Sequence, residues 1–421
     1  MGKKKKHKLA ILTSHVIQYQ TPLFQKFAAF PDVDLTVYFC WDFGARKTYD
    51  PEFGKEIEWD IPFLSGFKYK FLKNLSSKPS PTFLGQINLG IILELWANRY
   101  DALMVFGWNS FTNWIAFFTA FLRGTPVLLL GENPLNQELL KPAWKRTVKK
   151  ILFGKILFLL ISALLYIGEQ NKRFYKYYGV SGEKLFFVPY AVDNDRFITA
   201  SKSLRAKRKS LRQEAGIPEN ATVILFVGKL IEKKRPMDLL RAYEMLANSK
   251  LQIANSKKRT VGNEKRFAAS NSPLALVFVG DGALRPALER HVQEYDIPNV
   301  HFVGFKNQTE LPKYYVISDV FVLPSGEGET WGLVVNEAMC SGLPVVVSDV
   351  AGCSSDLVLE GKNGYVIKCG DVETLHQRLL SLITNSKQRS QFGARSVAVI
   401  KRYSYEEDMV GITKALDQLA W

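Results

Sequence analysis

Two glutamates with seven residues between them, Glu329 and Glu337, mark the part of this 421-residue chain where residue types and spacing best suit chemistry. They lie in Val322-Leu-Pro-Ser-Gly-Glu-Gly-Glu-Thr-Trp-Gly-Leu-Val-Val-Asn-Glu-Ala-Met-Cys-Ser-Gly-Leu-Pro-Val-Val-Val-Ser-Asp349, an apolar run, then a glycine- and glutamate-rich loop, then a helical pattern. A helix opening near Trp331 or Gly332 presents free amide donors and a partial positive charge, which suits an anion such as a diphosphate. Glycine lets that anion approach the backbone. Glu337 then lies about 9 Å further along the helix. An acid in the loop and another along the helix can thus reach opposite ends of one elongated ligand, with carboxylates accepting from hydroxyls. A second stretch, Val227-Gly228-Lys229-Leu230-Ile231-Glu232-Lys233-Lys234-Arg235-Pro236, follows another apolar run with a glycine turn and a cluster of cations. Lysines there can neutralise a diphosphate as point charges. A solvated basic loop is the plainer alternative.

These stretches need elements to hold them. Residues 8–13 read as a buried strand, Thr21–Phe30 as a helix and Val33–Cys40 as a strand; Ala102–Phe106 and Pro126–Leu130 are short apolar runs, with a helix over Trp114–Phe121 between them. After residue 220 the alternation restarts with strands at Val223–Val227, Leu274–Val279, Val300–Val303, Val320–Leu323 and Pro344–Ser348, and helices at Met237–Ala247, Leu284–Glu294 and Gly332–Cys340. Strands alternating with helices imply parallel sheets covered on both faces. The expected fold class is therefore α/β, two doubly wound, Rossmann-like domains facing a cleft, with ligands at the carboxyl ends of the strands. The expected boundaries are an N-terminal domain over 1–200, a basic linker over 201–220, a second domain over 221–395 and a closing helix over 396–421 that packs back on the N-terminal domain. Residues 247–273, rich in Asn, Ser, Lys and Ala, read as a flexible surface insertion.

The net charge is +16, both halves are basic, and the first is the more so. An anionic partner is implied: a nucleoside diphosphate, a phospholipid surface or a nucleic acid. Four cysteines without a Cys-x-x-Cys pair do not make a disulfide scaffold and suit a reducing cytoplasm. The five histidines show no zinc spacing, so no metal site is expected. Residues 1–12 lack the length of apolar stretch that a signal peptide needs, and Lys6 breaks the myristoylation pattern. The lysine run at 3–8 is either a solvated tail or an attraction to an anionic membrane. Ile151–Gly168 is apolar but interrupted by Lys155, too short to span a bilayer. With Lys141, Lys145, Arg146, Lys149 and Lys150 upstream, it fits either a helix lying in a membrane interface or a helix and strand inside a domain. A dinucleotide-dependent oxidoreductase would place glycines after its first strand, and residues 13–22 contain none. The basic runs also fit a membrane- or nucleic-acid-binding protein without transferase activity, although no recognition module stands out and no nucleic-acid partner is expected.

The Glu329-x7-Glu337 stretch, with Trp331-Gly332-Leu333 and Ala338, resembles the signature of the retaining glycosyltransferases of family 4, whose fold is GT-B. Gly228-Lys229-Leu230 looks like that family's Gly-Arg-Leu turn, and Lys234 its following lysine. Phe278-Val-Gly-Asp-Gly282, Phe302-Val-Gly-Phe305, Asp319-Val-Phe-Val-Leu-Pro-Ser325 and, before the hinge, Phe187-Val-Pro-Tyr-Ala-Val-Asp-Asn-Asp-Arg-Phe197 resemble further family blocks. The resemblance implies an enzyme moving a hexose, with retention, from a nucleoside diphosphate sugar to a glycan or lipid-linked acceptor in cell-surface polysaccharide biosynthesis. It implies no cofactor and no metal. The cysteine usage points to the cytoplasm, and the basic N-terminal half motivates a peripheral place on the inner face of the cell membrane. Glu329 would bind the donor sugar, the backbone at Gly228 and at Trp331, Gly332 and Leu333 would hold sugar and phosphate, and Glu337 would bind the ribose. Lys229 and Lys234 would stabilise the leaving diphosphate, and the loop near Val303–Lys306 would pack on the base. Lys229 replaces the commoner arginine, keeping the charge without the bidentate fork. Residues 14–22 lack the Gly-Gly loop of many relatives, and Leu130-Gly131-Glu132-Asn133 stands where many place a histidine. His15 and Glu132 are the candidates for acceptor contact, with Gln18 and Asn109 after them.

Overall fold

The structure, a computed structural model, describes residues 6–255 and 272–419. These divide into two compact units: residues 6–48, 57–193 and 403–419 form the first, and 49–56 with 194–402 the second.

The first unit is built on strands β1 (His7–Thr13), β2 (Val33–Phe39), β3 (Lys68–Phe71), β4 (Ala102–Phe106), β5 (Val127–Gly131), β6 (Ala163–Tyr166) and β7 (Leu185–Phe187). They are parallel and run β3-β2-β1-β4-β5-β6-β7 across the sheet. The central strands are apolar on both faces because helices cover both: Leu9 to Leu12 and Ala102 to Val105 are all buried. Leu9 pairs with Leu35 on one side and Ala102 on the other, which fixes the register of the centre. The helix Tyr405–Gln418 closes this unit against β7. Its Gly411 sits so close that a Cβ there would stand 1.9 Å from the Phe187 carbonyl oxygen. Ser404 caps it, accepting from the Glu407 amide, and Glu406 and Glu407 in its first turn complement the helix dipole.

The second unit holds β8 (Thr222–Val227), β9 (Leu274–Val279), β10 (Val300–Gly304), β11 (Val320–Leu323), β12 (Val345–Ser348) and β13 (Gly364–Ile367). The order is β10-β9-β8-β11-β12-β13, again parallel. In each sheet the order reverses beside the first strand, between β1 and β4 and between β8 and β11. A crevice at the carboxyl ends of the strands opens at such a point, and loops there collect ligands.

Three expectations change. Residues 201–220 are not a linker. The helices Asn194–Arg205 and Arg208–Glu214 pack on Leu311–Ile317 inside the second unit. Lys202, Arg205, Lys207 and Lys209 are exposed, but Arg208 and Arg212 each bond one oxygen of the Asp319 carboxylate at 2.7 Å. The helix expected over Met237–Ala247 runs from Pro236 to Asn255, so the helical pattern continues into the supposed insertion. Residues 256–271 of that insertion lie outside the described residues. Third, Tyr49–Glu56 leaves the first unit's sequence neighbourhood and clusters with the second.

The stretch 151–168 divides as its apolar pattern changes. The helix Ala143–Leu152 passes through a π-turn, Phe153–Leu157, into Phe158–Leu160 and then β6. Phe153 and Leu157 are buried, while Trp144, Val148, Ile151 and Leu159 are exposed. No helix among the described residues is long and apolar enough to cross a membrane.

Candidate donor site and first-unit edge

The two cation- and glutamate-bearing stretches meet where the second sheet reverses. Residues 228–235 follow β8 and residues 324–332 follow β11, neighbouring strands of the sheet. Lys234 Nζ and a Glu329 carboxylate oxygen form an ion pair in which both side chains are largely buried. Part-burial makes such a charge-assisted contact stronger than its solvent-exposed equivalent. The 228–235 loop is tied to the 324–332 loop by the Gly326 amide on the Lys233 carbonyl at 2.7 Å, and the Lys233 stem packs on Gly328.

The turn at Gly228 depends on its neighbour. Gly228 and Gly280 have φ of 152° and 136°, and a Cβ on Gly280 would stand 1.9 Å from the Gly228 carbonyl oxygen. The Gly228 amide bonds the Val279 carbonyl, and the Leu230 amide the Asp281 carbonyl, so the β8 and β9 loops are closed together by backbone. Gly352 plays the same part behind Glu329: its amide donates to the Glu329 carbonyl, and a Cβ would meet the Thr330 oxygen at 1.8 Å.

Gly332, at φ 104°, is the N-cap of the helix Leu333–Cys340. A residue with a Cβ would be strained there, so the glycine lets the loop turn sharply into the helix and aims its first-turn amides back at the loop. Trp331 turns inward: its indole donates to Asn336 at 3.0 Å and the ring is 2% exposed. The Trp331 carbonyl accepts from the Cys353 amide at 3.1 Å. Glu337 is wholly buried and accepts from the Tyr315 hydroxyl at 2.5 Å. It lies on the helix that Gly332 opens but beneath the surface.

Lys229 has partners that the sequence did not suggest. Its ammonium lies 3.1 Å from Asp50 and 2.5 Å from Glu52, above the Phe53 ring. Phe53 packs edge-on against Phe305, in the loop expected to meet a base, and Lys55 pairs with Asp281 at 3.2 Å. An acidic, aromatic segment thus lies on the same loops as the expected diphosphate and base contacts. The only sequence signal was the local density of acids at 50–58.

His15 and Glu132 belong to the first unit, on the loops after β1 and β5, which flank β4. His15 sits against Trp41 and Phe43, with Ser14 Oγ 2.8 Å from its Nδ1. Burial lowers its pKa to about 4, so it is neutral at pH 7. Glu132 accepts from the Tyr190 hydroxyl at 2.7 Å. Burial raises the Glu132 carboxyl, an effect that the Tyr190 hydrogen bond partly offsets, and desolvation pushes the phenol up as well. Tyr190 lies in a stretch singled out by resemblance but was not itself picked as a site residue. Asn109 donates to the Pro81 carbonyl at 3.1 Å, which engages one end of its amide. Among the described residues, no group of three or more His, Cys, Asp or Glu side chains is placed to hold a metal.

Two sheets of reversing strand order, with ligand-type loops at the reversal, define the GT-B fold, and solved structures of that fold align over nearly the whole chain. Anabaena HepE, solved in complex with UDP and glucose, aligns with a TM-score of 0.67 at 16% identity, covering 98% of this chain and 100% of that one. The sucrose-phosphate synthase of Thermosynechococcus elongatus aligns at 0.65 and 17%, covering 98% and 99%. Residues 207–398, all within the second unit, match the family model described as glycosyl transferases group 1. A D-inositol 3-phosphate glycosyltransferase from Xylanimonas cellulosilytica is 25% identical over 248 residues, 57% of this chain and 52% of its own length. The chain spans about half the length of the curated relatives it matches.

Proposed function

We propose that this chain is a retaining glycosyltransferase that moves a hexosyl unit from a nucleoside diphosphate sugar to a hydroxyl of a glycan or lipid-linked acceptor, in cell-surface polysaccharide biosynthesis. The observation that carries the reading is the Lys234–Glu329 pair at the reversal point of the second sheet, with Lys229 on the same loop as Lys234 and the Gly332-capped helix directly after the loop of Glu329. The match of 207–398 to a glycosyltransferase family model supports it independently.

The difficult event is separation of the anomeric carbon from the diphosphate. Lys229, Lys234 and the amides at the start of Leu333–Cys340 stabilise charge growing on the departing phosphate, an effect that can supply several kcal/mol when the groups are already in place. The acceptor oxygen bonds to the anomeric carbon on the face that the diphosphate leaves. The C–O bond breaks with its electron pair going to the diphosphate, and the acceptor proton goes to a leaving phosphate oxygen. Glu329 bonds sugar hydroxyls, and Glu337, held by Tyr315, serves the ribose from beneath. With the cations and amides carrying the phosphate charge, the reaction needs no divalent metal. His15 and Glu132 face the acceptor. The apolar exposed side of Ala143–Leu159 with its flanking lysines supports attachment to the inner face of the cell membrane, although the chain is otherwise cytoplasmic.

A donor panel followed by nucleoside diphosphate release tests the reading. One donor should be turned over, Glu329→Ala should abolish turnover, and an excess of EDTA should leave it intact. Proton NMR of the first product should show the donor's anomeric configuration. Release from no donor, or unchanged release in Glu329→Ala, would leave a binding protein on a GT-B scaffold. Salt-sensitive flotation with anionic liposomes, weakened by Trp144→Glu and Ile151→Glu together, tests the membrane part.

A further inference from the structure

At the amino-terminal edge of the second sheet, away from the loops that follow β8 and β11, lies a cavity of about 310 Å³. Its charged lining residues are Arg205, Arg208, Arg389 and Asp319. Three guanidinium groups therefore face one carboxylate, and that carboxylate is already engaged. Asp319 Oδ1 takes Arg208 at 2.7 Å, and Oδ2 takes both the buried Arg212 at 2.7 Å and the Val223 amide at 2.9 Å. Carbonyl oxygens take some of the remaining donors: Arg389 reaches Leu382 and Ile383, and Arg205 reaches Ser341. Arg208 Nε is buried with no partner at all. Buried, that atom is out of a ligand's reach; what favours an anion is the excess of three guanidiniums over one carboxylate on the lining.

The remaining wall has a matching chemistry. Ser386 and Ser390 line it from the first turn of the 15-residue helix Ser386–Ile400. Asn385 caps the Gln388 amide, so the two preceding amides are the ones that no intrahelical carbonyl or cap accepts. Desolvation makes the nearby Arg212 and Arg389 guanidiniums less basic, and the neighbouring Arg208 charge adds to the effect.

We propose that this cavity binds a phosphate group, free or carried by a small sugar phosphate, through Arg205, Arg208, Arg389 and the Ser386–Ser390 turn. Phosphate has the charge and the several acceptor oxygens that guanidinium forks, serine hydroxyls and helix amides satisfy together. The volume lies at the small end of ligand pockets, which suits a monophosphate rather than a nucleotide sugar. The cavity is separate from the proposed donor site but joined to it by a short element: β11 leaves Asp319 and ends at the loop that carries Glu329.

The test is thermal melting of the full chain at constant ionic strength, with inorganic phosphate and hexose 6-phosphate as separate titrants. Wild type should melt several degrees higher with saturable dependence on one of them. Preference for inorganic phosphate identifies the free ion as ligand, and at least tenfold tighter binding of the ester identifies the sugar phosphate. Arg205→Ala with Ser390→Ala should weaken the midpoint at least tenfold, while Lys234→Ala, at the donor site, should leave it unchanged. Ser390→Asp, which places a carboxylate in the cavity, should raise the melting temperature without phosphate and remove the response. The proposal falls if the Arg205/Ser390 double variant responds like wild type. It falls equally if only Lys234→Ala removes the response, if no saturable shift occurs, or if Ser390→Asp lowers the melting temperature.

Discussion

The two sheets share a strand order through their first six positions, yet their carboxyl edges are electrostatic opposites. Behind β8 and β11 the loops carry Lys229, Lys234 and Glu329, each ion-paired. Behind β1, β5 and β7 stand His15, Glu132 and Tyr190, all pushed toward their neutral forms by burial. One topology therefore offers a charged edge suited to a diphosphate and an uncharged, aromatic edge suited to a neutral sugar. Topology decides where a ligand sits, and loop residues decide its charge.

Removing a cation from the charged edge should have the largest effect. Lys234→Ala is expected to lower kcat by about 10²–10³, with the largely buried Glu329 carboxylate deprived of the Lys234 ammonium. Single-turnover kinetics with the preferred donor would show it, and a loss under tenfold would break the assignment of charge to that edge. Gly280→Ala comes next. Its Cβ would collide with backbone, so the two loops must separate, at a stability cost on the order of 2–4 kcal/mol, measurable by urea unfolding.

The neutral edge is tested by pH. His15 binds a proton more readily when unfolded, at the ordinary value near 6.5, than when folded, at about 4. Stability is therefore full above 6.5 and declines as pH falls toward 4, by on the order of 1–3 kcal/mol. In His15→Gln that decline should flatten, and an unchanged profile would show that the ring is not held neutral. The smallest expected effect comes from Asp50→Asn with Glu52→Gln. These free Lys229 for a phosphate, so a nucleoside diphosphate should bind about two- to tenfold tighter by calorimetry. Weaker binding would mean that the 49–56 segment helps to hold the donor.

How much of this was readable in advance follows from where the partners lie in sequence. Leu274–Val279 and Val320–Leu323 were legible to the residue because central parallel strands are buried on both faces. The edge strand Lys68–Phe71, with lysines alternating and its side chains mostly exposed, carries no such mark and was missed. The meeting of Lys234 with Glu329 was legible because each lies in a loop directly after an apolar run. Asp50 and Glu52 were not, since nothing local ties them to a lysine far along the chain. Arg208 and Arg212 read as linker for the same reason: Asp319, which neutralises them, is distant in sequence. Trp331 was placed correctly in the loop, but the direction of its ring follows from Asn336 and not from spacing.

The helix Tyr405–Gln418 completes the first unit only after the chain has passed through the whole of the second. On the ribosome, residues 194–402 emerge while β7 still lacks the helix that covers it. The first unit must then wait, with an apolar strip uncovered, for about 200 further residues, some ten seconds or more at usual elongation rates. Synthesis order thus runs against assembly order, and the N-terminal half has the greater need of a chaperone. Cutting the chain after residue 402 should spare the folding of the second unit and send the first into aggregates.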